Sequence, residues 1–104
     1  MTRTWLPIAS LALLANVCYA DVDSARQGEL MHLLKQDCGS CHGMTLKGGL
    51  GPALLPEALQ GKSTAFIVST ILEGRAGTAM PPWNTMLNED EASWIAQQLQ
   101  RGVQ

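Results

Sequence analysis

Residues 38–42 read Cys-Gly-Ser-Cys-His, and these positions restrict the fold more than any other part of the chain. Two thiols and an imidazole at this spacing have three established uses. A thioredoxin-like dithiol needs the pair after a strand and at the start of a helix, inside an alternating β and α pattern, and nothing upstream of Cys38 looks like a strand. A zinc site needs four ligands, commonly two pairs, and beyond Cys38, Cys41 and His42 the only other histidine is His32. The third use is covalent attachment of haem, and here the spacing has a chemical reason. Two thiols must reach the vinyl groups on neighbouring edges of one porphyrin, and the adjacent imidazole must then lie under the iron as proximal ligand. Haem attachment through Cys38 and Cys41, with His42 proximal, is therefore the expectation for this segment.

The start of the chain has a different purpose. Its opening, MTRTWLPIASLALLANVCYADV, places Arg3 before an apolar run from Trp5 to Val17 and ends in Cys-Tyr-Ala before Asp21, the layout of a secretory signal peptide cleaved after Ala20. The run is shorter than the roughly 20 residues of a membrane-spanning helix, and Pro7 and Asn16 interrupt it. Residues preceding Cys18 also lack the pattern of lipoprotein processing. Residues 1–20 are thus expected to be removed, leaving 21–104 as one exported, periplasmic domain that does not span the membrane. The whole chain has seven Lys and Arg against nine Asp and Glu; loss of Arg3 leaves six against nine, a net charge of −3 with His neutral. That acidic balance, without any basic run, argues against nucleic acid as a partner.

Three segments carry helical signals and none shows sustained strand alternation. From Ser24 to Asp37, Leu30, Leu33 and Leu34 recur at helical spacing and lead into the cysteines, with Gly43 as a stop. Ser63 or Thr64 can cap a helix ended by Gly74, short and expected to be buried because apolar residues nearly surround it. Asn88 can cap a third, whose Glu89, Asp90 and Glu91 suit the positive end of the helix dipole and whose Ala92, Ile95, Ala96 and Leu99 form one face. Two loops bearing Gly and Pro separate these helices. A domain of this size has a marginal core, so the chain without haem is expected to be largely unfolded or molten.

What fills the second axial position separates electron carriers from open-iron proteins. The candidates are Met31, Met44, Met80, Met86 and His32. Met44 is too near His42 to pass round a macrocycle, His32 lies opposite the leucine stripe, and Met31 flanks that stripe as a core residue. Met80 sits in Gly-Thr-Ala-Met-Pro-Pro-Trp, with Gly77 before it and Pro81 and Pro82 fixing the backbone after it. Met80 is the expected ligand and Met86 the reserve.

Taken together, CGSCH, Gly51-Pro52, ILEGRAGTAMPPW and LNEDEASWIAQQL occur in the order and spacing of the class I monohaem cytochromes c, which the mature chain resembles over nearly its whole length. The resemblance implies an all-α fold of three to four helices wrapped round one haem c per chain, thioethers at Cys38 and Cys41, axial ligands His42 and Met80, and a hydrogen bond from the His42 ring to the carbonyl of Pro52. It implies too a close crossing of the first and last helices, where the chain departs from the pattern: Gln98 replaces an aromatic, and Leu34 stands four residues before Cys38. More narrowly, the chain is similar to the small c-55X-type cytochromes that denitrifying bacteria encode beside haem cd1 nitrite reductase.

With both axial positions filled, the expected activity is one-electron transfer and no enzymatic catalysis. The partners implied are redox proteins, haem cd1 nitrite reductase among them, and the haem-attachment machinery; a role in maturation of haem d1 is the variant of the same reading. Lys47, Lys62 and Arg75 flank the loops near the haem, Trp83 is expected to pack on it, and Trp94 beneath a loop. The rival is a gas-sensing or catalytic haem protein whose distal ligand is displaceable. Against it, no histidine, arginine or acid is expected near Met80 as an acid–base group.

Overall fold

The computed structural model describes residues 2–5, 7 and 22–103. Apart from residues 2–5 and 7, the expected leader and its cleavage point lie outside the described residues. Among those described there is no strand, and no helix is long and apolar enough to cross a membrane.

Helix α1 (Ser24–Leu33) starts where Asp23 accepts a hydrogen bond from the Arg26 backbone N–H at 2.9 Å. It does not stop at Leu33. The chain winds through a π-helical segment, Leu34–Cys38, directly into the single turn α2 (Gly39–His42), which ends at Gly43. Hydrogen bonding from i to i+5 widens the turn and rotates everything after it relative to an α-helix. Leu30 and Leu34 thereby stay fully buried, while Cys38 and Cys41 are only partly covered. This wide turn has no signature in the leucine spacing.

Helix α3 (Thr64–Glu73) is capped by Ser63, whose hydroxyl accepts from the Phe66 N–H at 3.0 Å. Helix α4 (Glu89–Arg101) begins with a reciprocal capping box: Asn88 Oδ1 accepts from the Glu91 N–H at 2.8 Å, and the Asn88 N–H donates to Glu91 Oε1 at 3.0 Å. Its apolar face buries Ala92, Ile95, Ala96 and Leu99 against α1 and α3. The departures noted at the crossing are accommodated, since Leu34 is wholly buried and Gln98 half-buried. Trp94 packs half-buried against the same cluster.

The segments between helices are held by backbone hydrogen bonds. Gly48 N–H donates to His42 O and Gly51 N–H to Cys41 O, both at 2.8 Å, which satisfies carbonyls left open at the end of α2. Beyond α3, the Arg75 N–H donates to Met80 O at 3.2 Å and the Trp83 N–H to Ile71 O at 3.1 Å, so the distal loop folds back on the helix it leaves.

Candidate functional site

One face of the helical core is hollow. A cavity of about 470 Å³ opens between α2, the loop after it, α3 and the distal loop, with Ile95 and Leu99 of α4 behind, a size ordinary for a cofactor site. Its walls are mostly apolar, and Leu50 and Phe66, which line it, stand 80% and 51% exposed. Large apolar side chains left open beside a hollow are a surface prepared for an apolar occupant.

The structure brings Cys38, Cys41, His42, Pro52 and Met80 to this one cavity, together with Trp83. Met44 and Met86 are 62% and 54% exposed and lie off its wall, as do half-buried Met31 and exposed His32. Lys62 and Arg75 line it; Lys47 does not. One expectation needs correction. Arg75 binds the Met80 carbonyl through its backbone and shares the cavity wall, so an arginine does stand near Met80. Arg75 brings a positive charge to that wall.

His42 Nδ1 lies 2.7 Å from the Pro52 carbonyl oxygen. That oxygen can only accept, so Nδ1 carries the proton and Nε2 keeps its lone pair free for a metal. Gly51 allows this arrangement: a Cβ there would sit 2.8 Å from both Cε1 and Nδ1 of His42. At the far loop Gly74 has a positive φ of 68°, and a Cβ would meet Pro81 and Pro82 at 2.6 and 2.7 Å and the Met80 carbonyl at 2.8 Å. Both glycines hold backbone close to a site residue. Their signal in sequence is only that each adjoins a motif, and Leu59, Phe66 and Thr70, also on the wall, carry no signal at all.

Burial, with the Asp37 charge adding to it, pushes the Cys38 thiol up to about 11. Thiol nucleophiles and redox dithiols work through a lowered pKa, so the environment is wrong for that chemistry. Two thiols, an imidazole of fixed tautomer and a thioether on one apolar cavity instead fit a covalently held haem.

Comparison with known proteins agrees. The family described as cytochrome C oxidase, cbb3-type, subunit III, matches residues 25–98. Cytochrome c55X of Pseudomonas aeruginosa is 58% identical over 80 residues, 77% of this chain and 67% of that one. A solved c-type cytochrome, NirC, superposes with a TM-score of 0.76 at 55% identity, covering 77% of this chain and 94% of that one. Part of a much larger protein, the dihydro-haem d1 dehydrogenase NirN solved in complex with DHE, superposes at 0.64 with 35% identity, over 69% of this chain and 16% of that one. With its helical fold and this cavity, the chain belongs to the cytochrome c family as a small monohaem c-type cytochrome of the c55X type, carrying covalently attached haem c.

Proposed function

We propose that the chain is a periplasmic one-electron carrier of denitrification, exchanging electrons with haem cd1 nitrite reductase or with the proteins that mature its haem d1. The observation that carries this reading is the meeting of Cys38, Cys41, His42 and Met80 on one cavity from segments far apart in sequence. Haem, when bound, supplies a one-electron Fe(III)/Fe(II) couple. Cys38 and Cys41 attach the group by thioethers. His42 binds the metal through Nε2, and the Pro52 carbonyl fixes the plane of its ring and strengthens it as a donor. Met80 would offer its thioether to the metal from the opposite wall, its backbone held by its carbonyl's bond to Arg75 and by the stiff prolines after it. As a ligand, that thioether would favour the reduced state and raise the potential.

The d1 assignment rests on two likenesses: to the cytochrome NirC and to part of the dihydro-haem d1 dehydrogenase. Redox partners that must part quickly bury little surface, and exposed Leu50 with Lys62 and Arg75 at the cavity offers a small docking face.

Optical spectra of the holoprotein, oxidised and reduced, with and without carbon monoxide, test the ligation. A thioether-to-iron band in the oxidised form that disappears in Met80→Ala, and no response to carbon monoxide, is the expected result; an immediate response in the wild type would mean an open iron and a sensor or catalyst. Stopped-flow mixing of the reduced protein with the nitrite reductase, set against nitrite reductase maturation in a deletion strain, separates electron supply from maturation.

A further inference from the structure

Met80 is held by backbone bonds within its own loop, to Arg75 and to the Thr78 hydroxyl, and the two proposed axial ligands lie on elements with few direct links. His42 ends the continuous winding that begins at Ser24, whereas Met80 belongs to the loop between α3 and α4. The distal loop's inner bonds, Arg75 N–H to Met80 O and Trp83 N–H to Ile71 O, stay within the loop and α3. Its exit is different. Met86 and Leu87 N–H groups both donate to the Trp83 carbonyl, at 3.0 and 2.9 Å, forming a turn that delivers the chain to Asn88 and α4. The Met86 carbonyl, on the outside of that turn, accepts a hydrogen bond at 3.3 Å from the guanidinium of Arg26 in α1.

The same guanidinium bonds Glu91 through Nε and Glu29 at 2.7 Å through a terminal nitrogen. Glu91 spends its other oxygen on the Asn88 N–H, at the first residue after the turn. One planar fork on the ligand-bearing helix thus grips the distal loop's exit at two points, the Met86 carbonyl and the Glu91 carboxylate. A guanidinium suits this task because several donors leave it in one plane with fixed angles. The apolar crossing below sets how α1 and α4 pack; Arg26 sets where the loop leaves.

We propose that Arg26 is a positioning residue for the distal ligand: by tying α1 to the Met86 carbonyl and to Glu91, it fixes the exit of the distal loop and so holds Met80 on the iron. The idea rests on Met80 being the second axial ligand. Its consequence is a protein that stays folded without Arg26 but surrenders Met80 more readily to an added ligand.

The experiment titrates oxidised holoprotein with imidazole, following the thioether band and the Soret shift, in wild type, Arg26→Met, Glu91→Gln and Met80→Ala. Arg26→Met keeps the aliphatic stem and loses every donor; Glu91→Gln loses the ion pair while its amide oxygen can still accept from Asn88. Expected is an apparent imidazole affinity about five- to tenfold tighter in both variants than in wild type, with helical circular dichroism unchanged. If Arg26→Met fails to fold, the Glu91→Gln titration decides alone. A lowered melting temperature with wild-type imidazole affinity would make Arg26 a structural tie only and overturn the proposal. A wild type that binds imidazole as tightly as Met80→Ala would remove Met80 as ligand, and with it the axial-ligand reading as well as this one.

Discussion

The two faces of α4 show two ways of making a small helical protein cohere. Toward α1, Leu30 and Leu34 meet Ala96 in a cluster with almost no solvent exposure. Toward the cavity, Ile95 and Leu99 are buried beside Leu59, Ile67 and Leu87 in a wall where Leu50 and Phe66 stand open. The first face is complete in itself. The second consists of loops folded by backbone hydrogen bonds round a hollow, and its apolar side chains find their contacts on what fills it.

The largest effect should come from leaving the hollow unfilled. A Cys38→Ala, Cys41→Ala double variant that cannot attach haem is expected to keep part of its helical signal from α1 and α4 and to lose its cooperative melt and near-ultraviolet signal, as a molten state does. Thermal circular dichroism against the holoprotein measures it. A cooperative transition near that of the holo form would show the cavity half to be as self-sufficient as the crossing.

Truncation inside the crossing sharpens the contrast from the other side. Leu30→Ala or Leu34→Ala should cost about 2–5 kcal/mol in denaturant melts, because each removes a fully buried side chain from a packed cluster away from the cavity wall, while optical spectra below the melt stay those of the wild type. Gly74→Ala should behave oppositely. Its positive φ and the contact at 2.6 Å with Pro81 strain the distal loop, at about 1–3 kcal/mol, and the thioether band should weaken even where the protein is folded.

The same division governs what the sequence reveals. The helix caps at Ser63 and Asn88 and the face of α4 are local patterns, and the structure carries each of them. The meeting of Met80 with His42 at one cavity could be argued only because a haem signature upstream demanded a second ligand. Other features carried no local mark. The π-helical turn at Leu34–Cys38 depends on a compromise between burying leucines and turning cysteines outward, and Arg26's grip on Met86 joins residues that no periodicity relates. The cavity lining, drawn from five separate segments, is a property of their packing, and sequence shows it only as motifs whose neighbours happen to be small or apolar.

Smaller effects belong to the polar rim of the crossing. Asn88→Ala removes the side-chain half of the capping box and should cost about 1 kcal/mol, read as a shift in denaturant midpoint at constant slope.

The smallest expected effect depends on pH. The hydrogen bond from Arg26, helped by the Asn88 N–H, holds the Glu91 carboxyl below the usual carboxylate range, and the same contact raises Arg26 above its ordinary value, keeping it charged throughout. The folded state thus prefers Glu91 ionised, so as pH falls the unfolded chain takes up the proton first and gains on the folded one. The contribution is complete above the ordinary glutamate pKa of about 4.3 and is lost as pH drops through the lower folded value. Denaturant midpoints of wild type and Glu91→Gln, measured from neutral pH downward, should therefore differ most near neutrality and converge in acid. The gap should also shrink in high salt, because the Arg26 side chain is 35% exposed and its ion pair is screened. Parallel midpoints across the acid range would mean that the grip on the loop exit comes from the Met86 carbonyl, with Glu91 only capping its helix.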